Sequence, residues 1–172
     1  MTTGPAHEQL LTFFVAGAEY GVDILRVQEI RGWQQPMPLP RTPPFVKGVI
    51  NIRGDIVPIA DLRERLGLAA QSYGATTAIV VLRIEHGNRS TVRGIVVDAM
   101  SDVTNVDAAQ IKPPPAVAEA AGFAAFARGI AIVDDKMITI LDVDRVFPAV
   151  PALELDPAAL AASPAQLSHA PE

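Results

Sequence analysis

Apolar residues in this chain fall in short runs rich in Val and Ile, broken by Gly, Pro and charged residues, with no sustained helical recurrence. Such runs predict β-strands, because β-branched side chains fit a pleated surface and lose rotamer freedom in a helix. Residues 10–16 read as a first strand, turned by Gly17-Ala18-Glu19 into a second at 20–24. Residues 46–52 and 56–60 form the clearest hairpin, around Arg53-Gly54-Asp55. Residues 77–85 and 91–98 form another, joined by the polar loop His86-Gly87-Asn88-Arg89-Ser90. A third pairs 127–133 with 137–141 around Asp134-Asp135-Lys136.

Helical signals are few. Residues 61–66 open on Asp61, whose carboxylate can accept from a first-turn N–H, and Gly67 supplies a stop. Residues 142–147 repeat the pattern from Asp142 and stop at Pro148. The two pieces belong to a weak internal repeat. At a constant offset of 81 residues, Lys47-Gly48-Val49 aligns with Arg128-Gly129-Ile130, Ile59 with Ile140, and Asp61 with Asp142. The basic-Gly-aliphatic signature recurs at Arg93-Gly94-Ile95. Gly near the start of a strand marks a bulge or barrel corner, so this order favours two related small β units over one large sandwich. Residues 112–126, with three consecutive prolines, read as a long loop, and residues 148–172, with five Pro and eight Ala, as a disordered tail.

Composition narrows the partners. A length of 172 residues predicts one compact domain or two very small ones, and a hydrophobic fraction of 49% supports a packed core. The net charge is −5, and the first 65 residues balance seven basic against seven acidic side chains. No basic cluster is offered to a phosphate backbone, so nucleic acid is not an expected partner. The absence of cysteine excludes disulfides and thiolate chemistry and fits a reducing cytosol. No apolar run approaches the ~20 residues of a membrane span, and residues 1–9 lack the basic and apolar regions of a signal peptide. A cytoplasmic protein without direct membrane insertion is expected.

Catalytic constellations are missing from the pattern. His7, His86 and His169 fall in the N-terminal tail, a hairpin loop and the C-terminal tail, where no rigid element would hold a base or a metal ligand. Asp134-Asp135, the one adjacent acidic pair, sits where Asp is favoured for turn geometry. Arg53-Gly54-Asp55 matches an adhesion tripeptide, yet it bridges two apolar strands as a tight hairpin would. No glycine-rich phosphate loop follows a strand into a helix. No enzyme activity, cofactor or metal is expected, although paired carboxylates in a small β-barrel enzyme are the alternative that composition alone leaves open.

Several blocks carry a resemblance. Glu19-Tyr20-Gly21-Val22-Asp23-Ile24 with Val27-Gln28-Glu29-Ile30 resembles the opening motif of CheW-type chemotaxis coupling proteins. Residues 44–54, continuing into Ile56-Val57-Pro58-Ile59 and Asp61-Leu62-Arg63, resemble that family's most diagnostic motif. Gly94-Ile95-Val96-Val97-Asp98 with Ser101-Asp102-Val103 resembles a third, and Gln110-Ile111, Gly129 and Leu141-Asp142 the remainder. The likeness covers about residues 10–147 in order.

The resemblance implies an all-β fold of two SH3-like five-stranded barrels side by side, with short helical turns. A flexible N-terminus at 1–9 would precede a CheW-like domain at 10–150, with a disordered tail at 151–172. The first barrel would take about residues 10–75 plus 142–147, and the second about 76–141. It also implies a scaffold joining the cytoplasmic tips of transmembrane chemoreceptors to the regulatory domain of the histidine kinase CheA, in membrane-associated arrays. A stand-alone adaptor is expected rather than a kinase domain or a receiver fusion. Receptor contact would fall on Val27, Glu29, Ile30, Gly48, Arg53, Met100 and Val103, and kinase contact on Lys112 and Val117. Val27, Ile30, Met100 and Val103 would line an apolar groove, Gly48 would let a helix approach, and Glu29 and Arg53 would fix orientation. Plainer roles fit the same residues: core for Val27 and Ile30, a barrel corner for Gly48, and a solvated ion pair for Glu29 and Arg53.

Overall fold

The computed structural model describes residues 7–115 and 125–147, and they form an all-β protein of two curled sheets. The strands are β1 (His7–Val15), β2 (Ala18–Asp23), β3 (Val27–Gly32), β4 (Val46–Ile52), β5 (Asp55–Asp61), β6 (Ala78–His86), β7 (Arg89–Val97), β8 (Ala99–Asp107), β9 (Ile111–Lys112), β10 (Ala127–Val133) and β11 (Lys136–Leu141). Two single-turn helices, α1 (Leu62–Arg65) and α2 (Val143–Val146), follow β5 and β11. Each opens on its expected Asp cap: Arg63 N–H donates to the Asp61 carboxylate at 2.9 Å, and Asp144 N–H to that of Asp142 at 3.1 Å.

Strand order corrects the expected division of the chain. One sheet runs β3-β6-β7-β5-β4, and the other β8-β1-β2-β11-β10-β9. The middle of the chain therefore builds one sheet, while both ends build the other. The expected boundary near residue 75 is not a boundary, because β6 hydrogen-bonds between β3 and β7 in the first sheet. Three residues assigned to a flexible N-terminus, His7, Glu8 and Gln9, already pair with Asp107, Val106 and Asn105. His7 and His86 are end residues of β1 and β6 rather than tail and loop. The turns are tighter than the apolar runs indicated, with Val15↔Ala18, Ile52↔Asp55, His86↔Arg89 and Val133↔Lys136 each spanning two residues. The expected tail lies outside the described residues.

The 81-residue repeat is real in three dimensions. Register pairs Val46↔Ala60 and Gly48↔Ile59 recur as Ala127↔Leu141 and Gly129↔Ile140, with the bulge at the same place. Asp61 N–H donates to the Phe45 carbonyl at 2.7 Å, and Asp142 N–H to that of Phe126 at 2.8 Å. The equivalence extends across each sheet. The parallel pair Ile59↔Gly94 corresponds to Ile140↔Gly21, and β3 on β6 repeats as β8 on β1. The halves are thus the same five-strand order, with β1 and β2 completing the last half from the N-terminus. The sixth strand, β9, is the counterpart of a single bridge, Met37↔Val49, that covers the free edge of β4.

Three apolar clusters follow from this arrangement. Ile50, Ile52, Val57, Ile59, Ile79, Val81 and Val96 fill the first sheet. Leu10, Val106, Ala131, Ile138 and Ile140 fill the second. The largest cluster lies between them and draws Leu11, Phe13, Val15, Tyr20 and Val22 from one sheet and Ala78, Val80, Leu82, Ile84, Ile95 and Val97 from the other. Each Val, Leu, Ile or Phe side chain among them contributes about 1.5–3 kcal/mol when fully buried.

Gly48 shows how tightly the barrel closes. Its φ is +136°, and a Cβ there would fall on the Met37 carbonyl. The space expected for an approaching partner helix is occupied by the chain's own residues Met37 and Pro38, so Gly48 is a corner residue. Gly48→Ala should lower unfolding stability by more than about 2 kcal/mol, from left-handed backbone strain and the clash together. Gly32→Ala, with nothing within 4 Å of its Cβ, should stay within about 0.5 kcal/mol. Urea midpoints at constant m-value check both.

Candidate functional site

The sequence-predicted apolar positions are two symmetry-related pairs on the edge strands β3 and β8. Val27 faces Leu82 and Ile30 faces Val80, while Met100 faces Phe13 and Val103 faces Leu11. In both strands a bulge separates the two positions, which re-aims the side chains beyond it. Val27 and Met100 are half-buried against the shared cluster. Ile30 and Val103 point outward, 48% and 45% exposed. Each edge thus presents one anchored and one exposed apolar residue, an arrangement able to receive an apolar partner surface.

Glu29 and Arg53 are brought together from β3 and the β4–β5 tip. Arg53 Nη2 donates to Glu29 Oε1 at 2.7 Å, and Arg31 Nη1 donates to Glu29 Oε2 at 2.8 Å. The sequence reading missed Arg31, although residues two apart on a strand share a face and Glu29-Ile30-Arg31 carries that signal. Hydrogen bonds from Arg31 and then Arg53 hold the Glu29 carboxyl below the usual carboxylate range. The Arg53 side chain is 73% exposed and held at a φ of +50°, so its remaining donors face solvent.

The counterpart of that tip is acidic. Asp134 and Asp135 stand 81 residues after Arg53 and Gly54, also at positive φ, so the two barrels end in oppositely charged turns. Ile132 and Met137, paired across β10 and β11, are both exposed beside them. Lys112 is exposed on β9 opposite Ile130. Val117 lies outside the described residues.

One bidentate ion pair fastens each helix to a linker between the two sheets, with the charges reversed. Arg63 of α1 donates to Asp98 through Nε at 3.0 Å and Nη2 at 2.8 Å. Its counterpart on α2 is Asp144, which accepts from Arg26 Nη1 at 2.8 Å and Nη2 at 2.7 Å. Ala16 N–H also donates to Asp98, and Glu85 N–H to Asp144, each at 2.8 Å. The Arg26 guanidinium holds Asp144 below its ordinary pKa. For Asp98 burial pushes upward, but the bonds from Arg63 and Ala16 carry it below as well. These carboxylates are consumed in fastening rather than free for acid–base work. Among the described residues, no group of three His, Asp or Glu could hold a metal, and no helix is long and apolar enough to cross a membrane.

The family profile described as the CheW-like domain matches residues 9–150. The chain belongs to the CheW-like family. The chemotaxis protein CheW of Rhizobium meliloti is 39% identical over 142 residues, 82% of this chain and 88% of that protein. CheW of Klebsiella aerogenes is 40% identical over 139 residues, 81% of each. The crystal structure of scaffolding protein TtCheW from Thermoanaerobacter tengcongensis superposes with a TM-score of 0.74 at 33% identity, covering 88% of this chain and 97% of that one.

The Glu29 cluster of this CheW-like protein yields a pH prediction. Its folded pKa lies below its unfolded value, so the stabilising contribution is present above the ordinary carboxylate range. It is lost as pH falls through the depressed value. Carbon-detected NMR titration should place the Glu29 midpoint below that of a free glutamate. Arg31→Ala should raise it, and Arg53→Ala should raise it by less.

Proposed function

We propose that this chain is a non-catalytic cytoplasmic scaffold that couples transmembrane chemoreceptors to the histidine kinase CheA at membrane-associated receptor arrays. The observation that carries this is the CheW-like match across residues 9–150, supported by a solved scaffolding protein of the same fold. The receptor's helical tip meets Val27, Ile30, Met100 and Val103 at the two edge strands, with Glu29 and Arg53 setting its orientation. Gly48 serves this surface indirectly, by letting Met37 close the barrel beneath Arg53's hairpin. Lys112 and Val117 belong to the kinase-facing side.

Affinity on such a surface comes from the few apolar anchors that lose water, while charges at its rim govern orientation and on-rate. Ile30→Asp and Val103→Asp should each weaken binding of a soluble receptor signalling fragment about tenfold, the cost of a charge desolvated against an apolar partner. Their thermal unfolding should match the parent's, because both side chains are exposed. Isothermal titration checks affinity, and undiminished binding by both variants would sink the assignment. Arg53→Glu should reduce receptor-dependent CheA stimulation in a reconstituted array without unfolding the protein.

A further inference from the structure

Arg65 is the residue at which the internal symmetry meets itself. Its guanidinium lies 5.0 Å from the Phe45 ring centroid and 4.4 Å from that of Phe126. Those two phenylalanines are 81 residues apart, and each carries the carbonyl that receives its own helix cap. A group touching both members of a symmetry-related pair sits close to the axis relating them. Arg65 also donates through Nε to the carbonyl of Val146, its own counterpart in the second half, and through Nη2 to that of Arg145 at 3.4 Å. At this position the symmetry is broken in what the side chains do: Val146 is buried in the shared cluster, while Arg65 reaches across.

Among the described residues, no carboxylate partners this cation. Its neighbours are two ring faces and two carbonyls at the end of α2, all favourable to positive charge. Burial lowers the Arg65 pKa. An exposed ornamental arginine would not be half-enclosed in this way.

We propose that Arg65 is a positioning residue that pins the two curled sheets at a fixed mutual angle, so that β3 and β8 present one surface to the receptor. This rests on the coupling function proposed above. Arg65→Met keeps the stem and removes the cation and its donors; Arg65→Lys keeps the cation without the planar fork. The parent has no cysteine, so Asp55→Cys with Met137→Cys places spin labels on the two barrels, and Asp55→Cys with Asn88→Cys places both on one.

Pulsed electron–electron resonance should give a narrow distance distribution for the cross-barrel pair in the otherwise unaltered chain. Arg65→Met should broaden or shift it, Arg65→Lys should restore it in part, and the single-barrel pair should not change. Receptor-fragment affinity should fall about tenfold in Arg65→Met, as expected for losing preorganisation of a two-part surface. An unchanged cross-barrel distribution in Arg65→Met overturns the proposal, whatever happens to the melting temperature. A distribution that changes in a protein whose parent binds no receptor fragment would uphold the pin and overturn the coupling function.

Discussion

Strands β1 and β6 must satisfy two cores at once, and the rest of the architecture depends on that. Side chains on a strand alternate between faces, so β6 sends Ile79 and Val81 into the core of its own sheet and Val80, Leu82 and Ile84 into the shared one. β1 does the same with Leu10 against Leu11, Phe13 and Val15. Through their central residues, 10–13 and 79–82, neither strand has a solvent face. A one-residue slip would exchange every side chain between two differently shaped cores, so register here is firmly specified. Truncating such a side chain to Ala costs about 2–5 kcal/mol, which is a large share of what a domain this size has.

Two halves so alike also need a means of telling each other apart. The reversed ion pairs supply one. If α1 docked where α2 belongs, Arg63 would face Arg26 and Asp144 would face Asp98, leaving like charges together in half-buried sites. Such juxtapositions disfavour the wrong arrangement more than the right pairs add to stability. Thr12 is a second distinction. It occupies the place that Val81 fills in the other half, and its hydroxyl bonds with Asp102 rather than packing in a core.

The proposed recognition surface is a consequence of the same layout. With β1 and β6 enclosed, β3 and β8 become the edges, and edges are where backbone and side chains remain available to a partner. Glu29, held by Arg31 and Arg53, shields one edge with charge while leaving Ile30 exposed beside it. That combination limits indiscriminate strand pairing and still leaves an apolar contact for a specific partner.

The sequence by itself determined the strong strands, their hairpins, both Asp-capped turns and the 81-residue repeat, because each is written in local period or local capping chemistry. Edge strands β3 and β8 escaped that logic, since Val27-Gln28-Glu29-Ile30-Arg31-Gly32 and the polar residues 99–107 contain no apolar run. Only the tertiary structure decided which strands share a sheet, since hydrogen bonding between β1 and β8 joins residues about half the chain apart and leaves no local trace. It likewise decided that Gly48 answers to Met37 and that Arg65 answers to both phenylalanines. The Gly48–Met37 contact closes within the first sheet, whereas Arg65 meets Phe126 only once the shared core has brought the two sheets together.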